Sequence, residues 1–141
     1  MNVNECIRER LLRRISIDKE KVRSSIKTAE QKIFEAKELF AKEFFNQAVV
    51  NAYTAMFHSA RAILYKDGIQ EKSHYAVFVY LNEEYSKKLP KSILNSFDNY
   101  RKERHNILYG FEHKASKDDA ESAILDAEEF LDLAKEIVGY G

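Results

Sequence analysis

The stretch from residue 101 to residue 110, RKERHNILYG, holds the densest group of polar side chains in the chain. Its Arg104 carries a permanent charge and a forked set of donors that suits a phosphate. Its His105 is of the residue type that most often transfers protons in enzymes. On a helix, the flank beside Arg104 presents polar groups at spacings of three or four: Asp98, Arg101, His105 and Tyr109. The alternative is a solvated flank, with Arg101 and His105 in water and Tyr109 packed by its ring.

Arg104 also interrupts an apolar stripe of the same helix. On a helical wheel it falls near the middle of five apolar or aromatic residues: Ile93, Phe97, Tyr100, Leu108 and Phe111. Burying a guanidinium is costly unless the charge is paired. We therefore expect Arg104 to meet a carboxylate inside the fold, or to face a crevice or a boundary between subunits.

Long helices must position these residues, because the 141 residues include only 4 Gly and 1 Pro and the apolar positions recur at three and four. The spacing predicts helices over about 18–40, 43–66 and 73–87, then from Pro90 to about Gly110 and from Ser116 to about Val138. The second is the most apolar and is predicted to be the central helix. We expect an all-α, up-and-down helical bundle of four main helices plus a shorter helix, over residues 18–141, with no sheet. Residues 1–17 are predicted to form an N-terminal arm or a short helix.

Several helix ends are predicted from single residues. Asp67-Gly68 is predicted to close the second helix, with Gly68 in the left-handed conformation. Ser73 is a predicted N-cap, and Pro90 suits the first turn of the next helix. The run from Ser116 to Asp119 resembles a capping box.

Composition limits the classes of function. The 23 basic and 23 acidic residues cancel, so contact with nucleic acid requires a local basic patch, for which the stretch from residue 87 to 104 is the candidate. The alternative is that this stretch complements the acidic last helix. The single Cys6 cannot form an internal disulfide, and the chain has no metal-ligand spacing or Gly-rich phosphate loop. We expect no metal or nucleotide cofactor and a cytoplasmic protein without a membrane segment.

Four stretches in order resemble the HEPN domain family over about residues 25–138: AKELF at 36–40, NAYTAMFHSARAILY at 51–65, SH at 73–74 and RKERHNILYG at 101–110. The set is similar to small prokaryotic HEPN proteins often encoded beside a minimal nucleotidyltransferase. The resemblance implies homodimers with the motif helices at the interface. Many members of the family cleave RNA without a metal ion and act as toxins, so the resemblance also implies this activity.

The resemblance also implies roles for individual residues. Family nucleases carry Arg, then four to six residues, then His: the Arg holds the phosphate and the His assists attack by the ribose 2′-OH. Here the same spacing from Arg104 leads to Tyr109, a poor base at neutral pH, so the base is expected to be His105 or His113. The implied catalytic residues are Arg104, His105 and Tyr109. The implied phosphate- and RNA-binding residues are Arg101, Lys102 and Asn106, with supporting positions at Asp98, His58, Ser73 and His74.

Three functions remain open from the sequence. The first is a metal-independent ribonuclease, the toxin component of a HEPN/nucleotidyltransferase toxin–antitoxin system. In related systems the nucleotidyltransferase adds AMP to a tyrosine of the motif, which makes Tyr109 a candidate modification site. The second is a non-catalytic nucleotide- or substrate-binding partner subunit of a nucleotidyltransferase, which the incomplete motif and the zero net charge favour. The third is a plain helical interaction module.

Overall fold

The computed structural model describes residues 1–110 and 113–140. Over these residues the chain forms six helices and two short strands, in the order α1 (Val3–Arg8), β1 (Leu12–Arg14), α2 (Lys19–Ala41), α3 (Phe45–Lys66), β2 (Ile69–Glu71), α4 (His74–Glu84), α5 (Lys91–Tyr109) and α6 (Lys117–Val138). The predicted all-α class is confirmed. None of the described helices is both long enough and apolar enough to cross a membrane.

Helix α3 lies at the centre of the fold, as its apolar composition predicts. It packs against α2, α5 and α6, and its buried side chains include Tyr53, Met56 and Ile63. Alanines at every turn of α3 let the neighbouring helices approach closely, and Phe97 of α5 and Phe130 of α6 fill the space between them. The core therefore holds the first half of α5 firmly against α3.

The expectation of no sheet is wrong. Strands β1 and β2 pair antiparallel, with Leu12 opposite Glu71 and Arg14 opposite Ile69. Leu12 is fully buried, so its burial holds the N-terminal segment onto the bundle. Three-residue strands this far apart in sequence leave no periodic signal, which is why the pattern predicts only an arm or a short helix for residues 1–17.

The predicted helix ends are largely confirmed. Gly68 has a φ of +71°, and Ser73 accepts a hydrogen bond from the Ala76 amide at the start of α4. Ser116 and Asp119 form a reciprocal capping box. Pro90, however, is the N-cap of α5 rather than part of its first turn.

The C-terminal end of α4 differs from the prediction, because this helix ends at Glu84 instead of about residue 87. The hydroxyls of Tyr80 and Tyr85 both donate to the Asp67 carboxylate, at 2.8 and 2.6 Å. These bonds tie the end of α4 to the end of α3. A tertiary contact thus accompanies the end of a helix that local sequence would extend.

The apolar stripe of α5 is confirmed in its first half only. Ile93 and Phe97 are buried, whereas Leu108 is 45% exposed. Tyr100 and Arg104 lie between these extremes. Phe111, the last member of the predicted stripe, lies outside the described residues. The second half of α5 is therefore largely accessible and presents the RKERHNILY segment at the surface.

Candidate functional site

The candidate site forms where the second half of α5 lies against α3 and the start of α4. The Arg104 guanidinium carbon lies 6.0 Å from the centroid of the Tyr53 ring. The Tyr53 hydroxyl is hydrogen-bonded to Nδ1 of His74 at 2.8 Å, and the His74 ring stacks on Phe57 with centroids 4.1 Å apart. Because Ser73 caps α4, His74 is the first residue of that helix and its backbone is held in place. Three elements thus meet around one guanidinium.

The groups beneath Arg104 are electrically neutral. Burial lowers the pKa of His74, and the charges of Arg104 and Arg101 lower it further. Burial also raises the pKa of Tyr53 well above its usual range. Neither ring therefore carries a charge that would offset Arg104 at neutral pH.

Two neighbours of Arg104 on α5 are paired with the same carboxylate. Arg101 Nε lies 2.9 Å from Asp98 Oδ1, and Lys102 Nζ lies 3.5 Å from the other oxygen of Asp98. The Arg101 guanidinium also lies over the exposed ring of Tyr75, 5.3 Å from its centroid. Within residues 1–110 and 113–140, Arg104 forms no ion pair with a carboxylate. Of the two expected environments, the described residues place Arg104 on an aromatic ring facing outward rather than against an internal acid.

His105, Asn106 and Tyr109 occupy the exposed side of α5. His105 and Tyr109, one turn apart, have ring centroids 4.9 Å apart, and Tyr109 is 68% exposed. Arg104 lies on the face of α5 that contacts Tyr53. Because successive residues of a helix are about 100° apart, the next residue, His105, lies on a different face. The structure therefore places these three predicted site residues beside the Arg104 cluster, accessible from solvent.

His113, the other predicted base, is held by a different set of contacts. Its Nε2 lies 3.7 Å from Oε1 of Glu103, and its carbonyl accepts a hydrogen bond from the Asn46 side chain. Burial, followed by the negative charge of Asp119, raises the pKa of Glu103. His113 is thus associated with Glu103 and α3, and the described geometry favours His105 as the more accessible imidazole.

Sequence reasoning missed three residues that build the site: Tyr53, Phe57 and Tyr75. Tyr53 and Phe57 belong to the apolar second helix and to the stretch at 51–65 that carries the family resemblance, but the sequence assigns them no role in the site. Their spacing of four, repeated at Arg61, puts them on one face of α3, and this was the available signal. Among the described residues, no group of three or more His, Cys, Asp or Glu side chains is arranged to hold a metal ion.

The comparisons with known proteins identify the family of this chain. The model of the HEPN domain matches residues 22–137. The chain belongs to the HEPN domain family. A protein of Methanocaldococcus jannaschii whose name is "Putative toxin" is 31% identical to it over 122 residues, covering 83% of this chain and 88% of that protein. A UPF0332 protein of Archaeoglobus fulgidus is 33% identical over 119 residues, covering 80% of this chain and 91% of that protein.

His58 of this HEPN domain lies apart from Arg104, half-buried at a groove between α2 and α3. Burial, and then the charges of Arg61 and Lys32, lower the pKa of His58 from 6.5 to about 4. An unfolded chain therefore takes up a proton on His58 near pH 6.5, whereas the folded chain does so only near pH 4. Because the unfolded state binds more protons in this window, folding stability is lost as the pH falls through it.

We accordingly expect the Tm to fall when the pH is lowered from 7 to about 4.5, and to fall less steeply in His58→Gln. Thermal unfolding followed by circular dichroism across this range measures both slopes. His105→Gln, which removes an exposed imidazole, is the matched control and should keep the wild-type slope. Equal slopes for His58→Gln and wild type would contradict the assignment of this acid sensitivity to His58.

Proposed function

We propose that this HEPN domain binds RNA through Arg104 and cleaves it without a metal ion. The observation that carries the proposal is the Arg104 guanidinium, which lies on the Tyr53 ring with no ion pair to a described carboxylate. A guanidinium in that state has donors left for a bidentate contact with phosphate oxygens. Arg101, Lys102 and Asn106 on the same half of α5 add further donors for the RNA backbone.

The proposed reaction is attack of a ribose 2′-OH on the neighbouring phosphorus. His105 takes the proton from the 2′-OH, the new O2′–P bond forms, and the P–O5′ bond breaks. The 5′-oxygen leaves with a proton from His105 or from water. The products are one RNA end with a 2′,3′-cyclic phosphate and one with a 5′-hydroxyl, and Arg104 stabilises the extra negative charge that develops on the phosphate.

The proposal includes a homodimer formed through the second half of α5. Leu108 and Tyr109 are 45% and 68% exposed there, and adjacent exposed apolar side chains are a feature of interaction surfaces. Two copies related by a twofold axis would bury these side chains together and set two Arg104 groups at the edges of a shared cleft.

A toxin–antitoxin role is part of the same proposal. The name of the Methanocaldococcus jannaschii relative supports a toxin context. A small nucleotidyltransferase antitoxin is the proposed partner, and Tyr109 is the proposed site of AMP addition, since its ring is accessible in the single protomer before the dimer forms. The second candidate function is a non-catalytic partner subunit of a nucleotidyltransferase, which is favoured by the occurrence of Tyr109 where family nucleases carry His.

The deciding experiment is incubation of the purified protein with tRNA and mRNA in EDTA, with a parallel arm in magnesium. We expect cleavage in both arms, with cyclic-phosphate or 3′-phosphate ends, and loss of cleavage in Arg104→Ala. The same sample should scatter light as a dimer. Cleavage that is lost in EDTA and restored by magnesium would show that the chemistry is different, and binding without any cleavage would favour the non-catalytic subunit.

A further inference from the structure

An unbroken run of stacked rings and cations follows one face of α3 away from Arg104. The Arg61 guanidinium carbon lies between two rings, 5.6 Å from the centroid of Phe57 and 5.3 Å from that of Tyr65. Phe57 stacks on His74, which is bonded to Tyr53 beneath Arg104. The run therefore connects the candidate site to a second arginine on the same helix face.

The positions of Tyr53, beneath Arg104, and of Arg61 on α3 show how far the run extends along this helix. Tyr53 and Arg61 are eight residues apart on α3, which corresponds to about 12 Å along the helix axis. Beyond Arg61 the run ends at Lys21 of α2, whose Nζ lies 5.7 Å from the centroid of the Tyr65 ring. A strand that starts at Arg104 and follows α3 meets a cation again at Arg61 and then at Lys21.

Arg61 and Lys21 open into a groove between α2 and α3 with a volume of about 430 Å³. The rest of the lining is rich in hydrogen-bonding groups, among them Ser24, Thr28 and His58. The neutral imidazole of His58 and the hydroxyl side chains accommodate an extended polar strand without adding negative charge. Nothing in the reaction proposed above uses this groove.

The orientation of Arg61 is fixed by groups on two elements. Its Nε lies 2.6 Å from Oε1 of Glu71 on β2, an ion pair without an aligned hydrogen bond. Its Nη2 donates to the Tyr65 hydroxyl at 2.5 Å. Within the described residues, Nη1 makes no hydrogen bond, so a donor of an already oriented guanidinium remains for a ligand.

The charge of the groove indicates how it would be used. Glu71 on β2 offsets the charge of Arg61, and Glu20 is an acid in the lining of the groove itself. A groove balanced in this way attracts a free phosphate weakly. It gains affinity when the strand is already anchored at a neighbouring site, because the second contact is then intramolecular.

We propose that Arg61 is a second positioning residue for RNA, contacting a backbone phosphate of an unpaired strand that is anchored at Arg104. This inference rests on the proposed function and adds the form of the substrate. The groove between two packed helices fits a single extended strand, whereas an A-form duplex is recognised across two successive minor grooves on a broad surface. At the other end of the run, the open ring of Tyr75, 40% exposed, offers an unpaired base a surface on which to stack.

The test compares short and longer single strands that cannot be cut. We use 2′-O-methyl RNA as a dinucleotide and as a strand of about ten nucleotides, and measure Kd as a function of salt by fluorescence anisotropy. For wild type, the longer strand should bind more tightly. In Arg61→Gln the longer strand should bind about tenfold more weakly, and the slope of log K against log salt should shrink by about 0.7, the value for one phosphate contact on a single strand. The dinucleotide should bind Arg61→Gln as it binds wild type.

The controls separate this inference from the proposed function. Arg8→Gln removes an equivalent charge at an exposed position of α1 and should bind both strands normally. If loss of the Glu71 ion pair unfolds Arg61→Gln, the test uses Lys21→Gln, which changes an exposed residue. In this variant the affinity for the longer strand should fall by less than tenfold, and the affinity for the dinucleotide should not change. If Arg61→Gln and Lys21→Gln both bind the longer strand as wild type does, while Arg104→Gln binds both strands more weakly, the Arg61 contact is overturned and the proposed function is not. A duplex bound as tightly as the single strand would overturn the preference for unpaired RNA, and wild type that binds neither strand would overturn the proposed function as well.

Discussion

Arg104→Ala is expected to weaken RNA binding by about 1.5 to 3 kcal/mol, a loss of roughly 10- to 150-fold in Kd. This is the range for hydrogen bonds to a charged partner, and the guanidinium on the Tyr53 ring is the group proposed to make them. Arg104→Lys keeps the charge but loses the fork of donors, so binding should remain weaker than wild type by roughly 1 to 3 kcal/mol. Anisotropy with uncleavable RNA measures the affinity, and single-turnover cleavage measures the rate.

Two further variants show whether the loss is specific to Arg104. His105→Ala should lower turnover more than binding, because an imidazole that moves a proton acts in the transition state. Tyr109→Phe should change cleavage least, while abolishing AMP transfer if the partner enzyme modifies that hydroxyl. Unchanged affinity and cleavage in both Arg104 variants would leave Arg104 as a packing residue and favour the non-catalytic subunit.

Phe97→Ala should cause the largest loss of folding stability, about 3 to 5 kcal/mol, which corresponds to a fall of roughly 10 to 20 °C in Tm. Phe97 is fully buried and links three helices, with its ring centroid 5.6 Å from Tyr53 and 5.4 Å from Phe130. Its removal leaves a cavity directly behind the ring that carries Arg104. Urea unfolding and thermal melts measure the loss.

A surface variant and the site variant provide the comparison for Phe97→Ala. Leu125→Ala removes a side chain that is 58% exposed on α6 and should change stability by less than about 0.5 kcal/mol. Arg104→Ala should likewise melt near the wild-type temperature, since its ring contact is partly solvated. A Phe97→Ala protein as stable as these two would show that the packing of α5 on α3 contributes little to the fold.

Much of the helical scaffold could be predicted because helix formation depends on residues close together in the sequence. The three- and four-residue spacing predicts α2, α3, α5 and α6 within a few residues, and Gly68, Ser73 and the Ser116 capping box mark ends that the structure confirms. The four ordered stretches at 36–40, 51–65, 73–74 and 101–110 together indicate the HEPN family, which the match over residues 22–137 confirms. The helices and their ends depend on residues about one turn apart, and helix geometry fixes the relative positions of such residues in any protein.

The surroundings of Arg104 required the tertiary structure. The wheel places Arg104 on an apolar stripe, but it does not indicate that the stripe leaves the core before Leu108 or that the ring beneath Arg104 is Tyr53. The same limit applies to His74, which lies 21 positions from Tyr53 and contacts it only because α4 turns back onto α3. Contacts between distant residues depend on how helices pack, and packing has no short period in the sequence.

The helices, most of their ends, the central position of α3 and the family could be predicted from the residues alone. The pairing of β1 with β2, the contact of Glu71 with Arg61 and the rings on α3 that connect Arg61 to Arg104 are visible only in the folded chain. This is because secondary structure follows from hydrogen bonds and side chains within one or two turns, whereas each of these contacts forms through the joint burial of segments far apart in the chain.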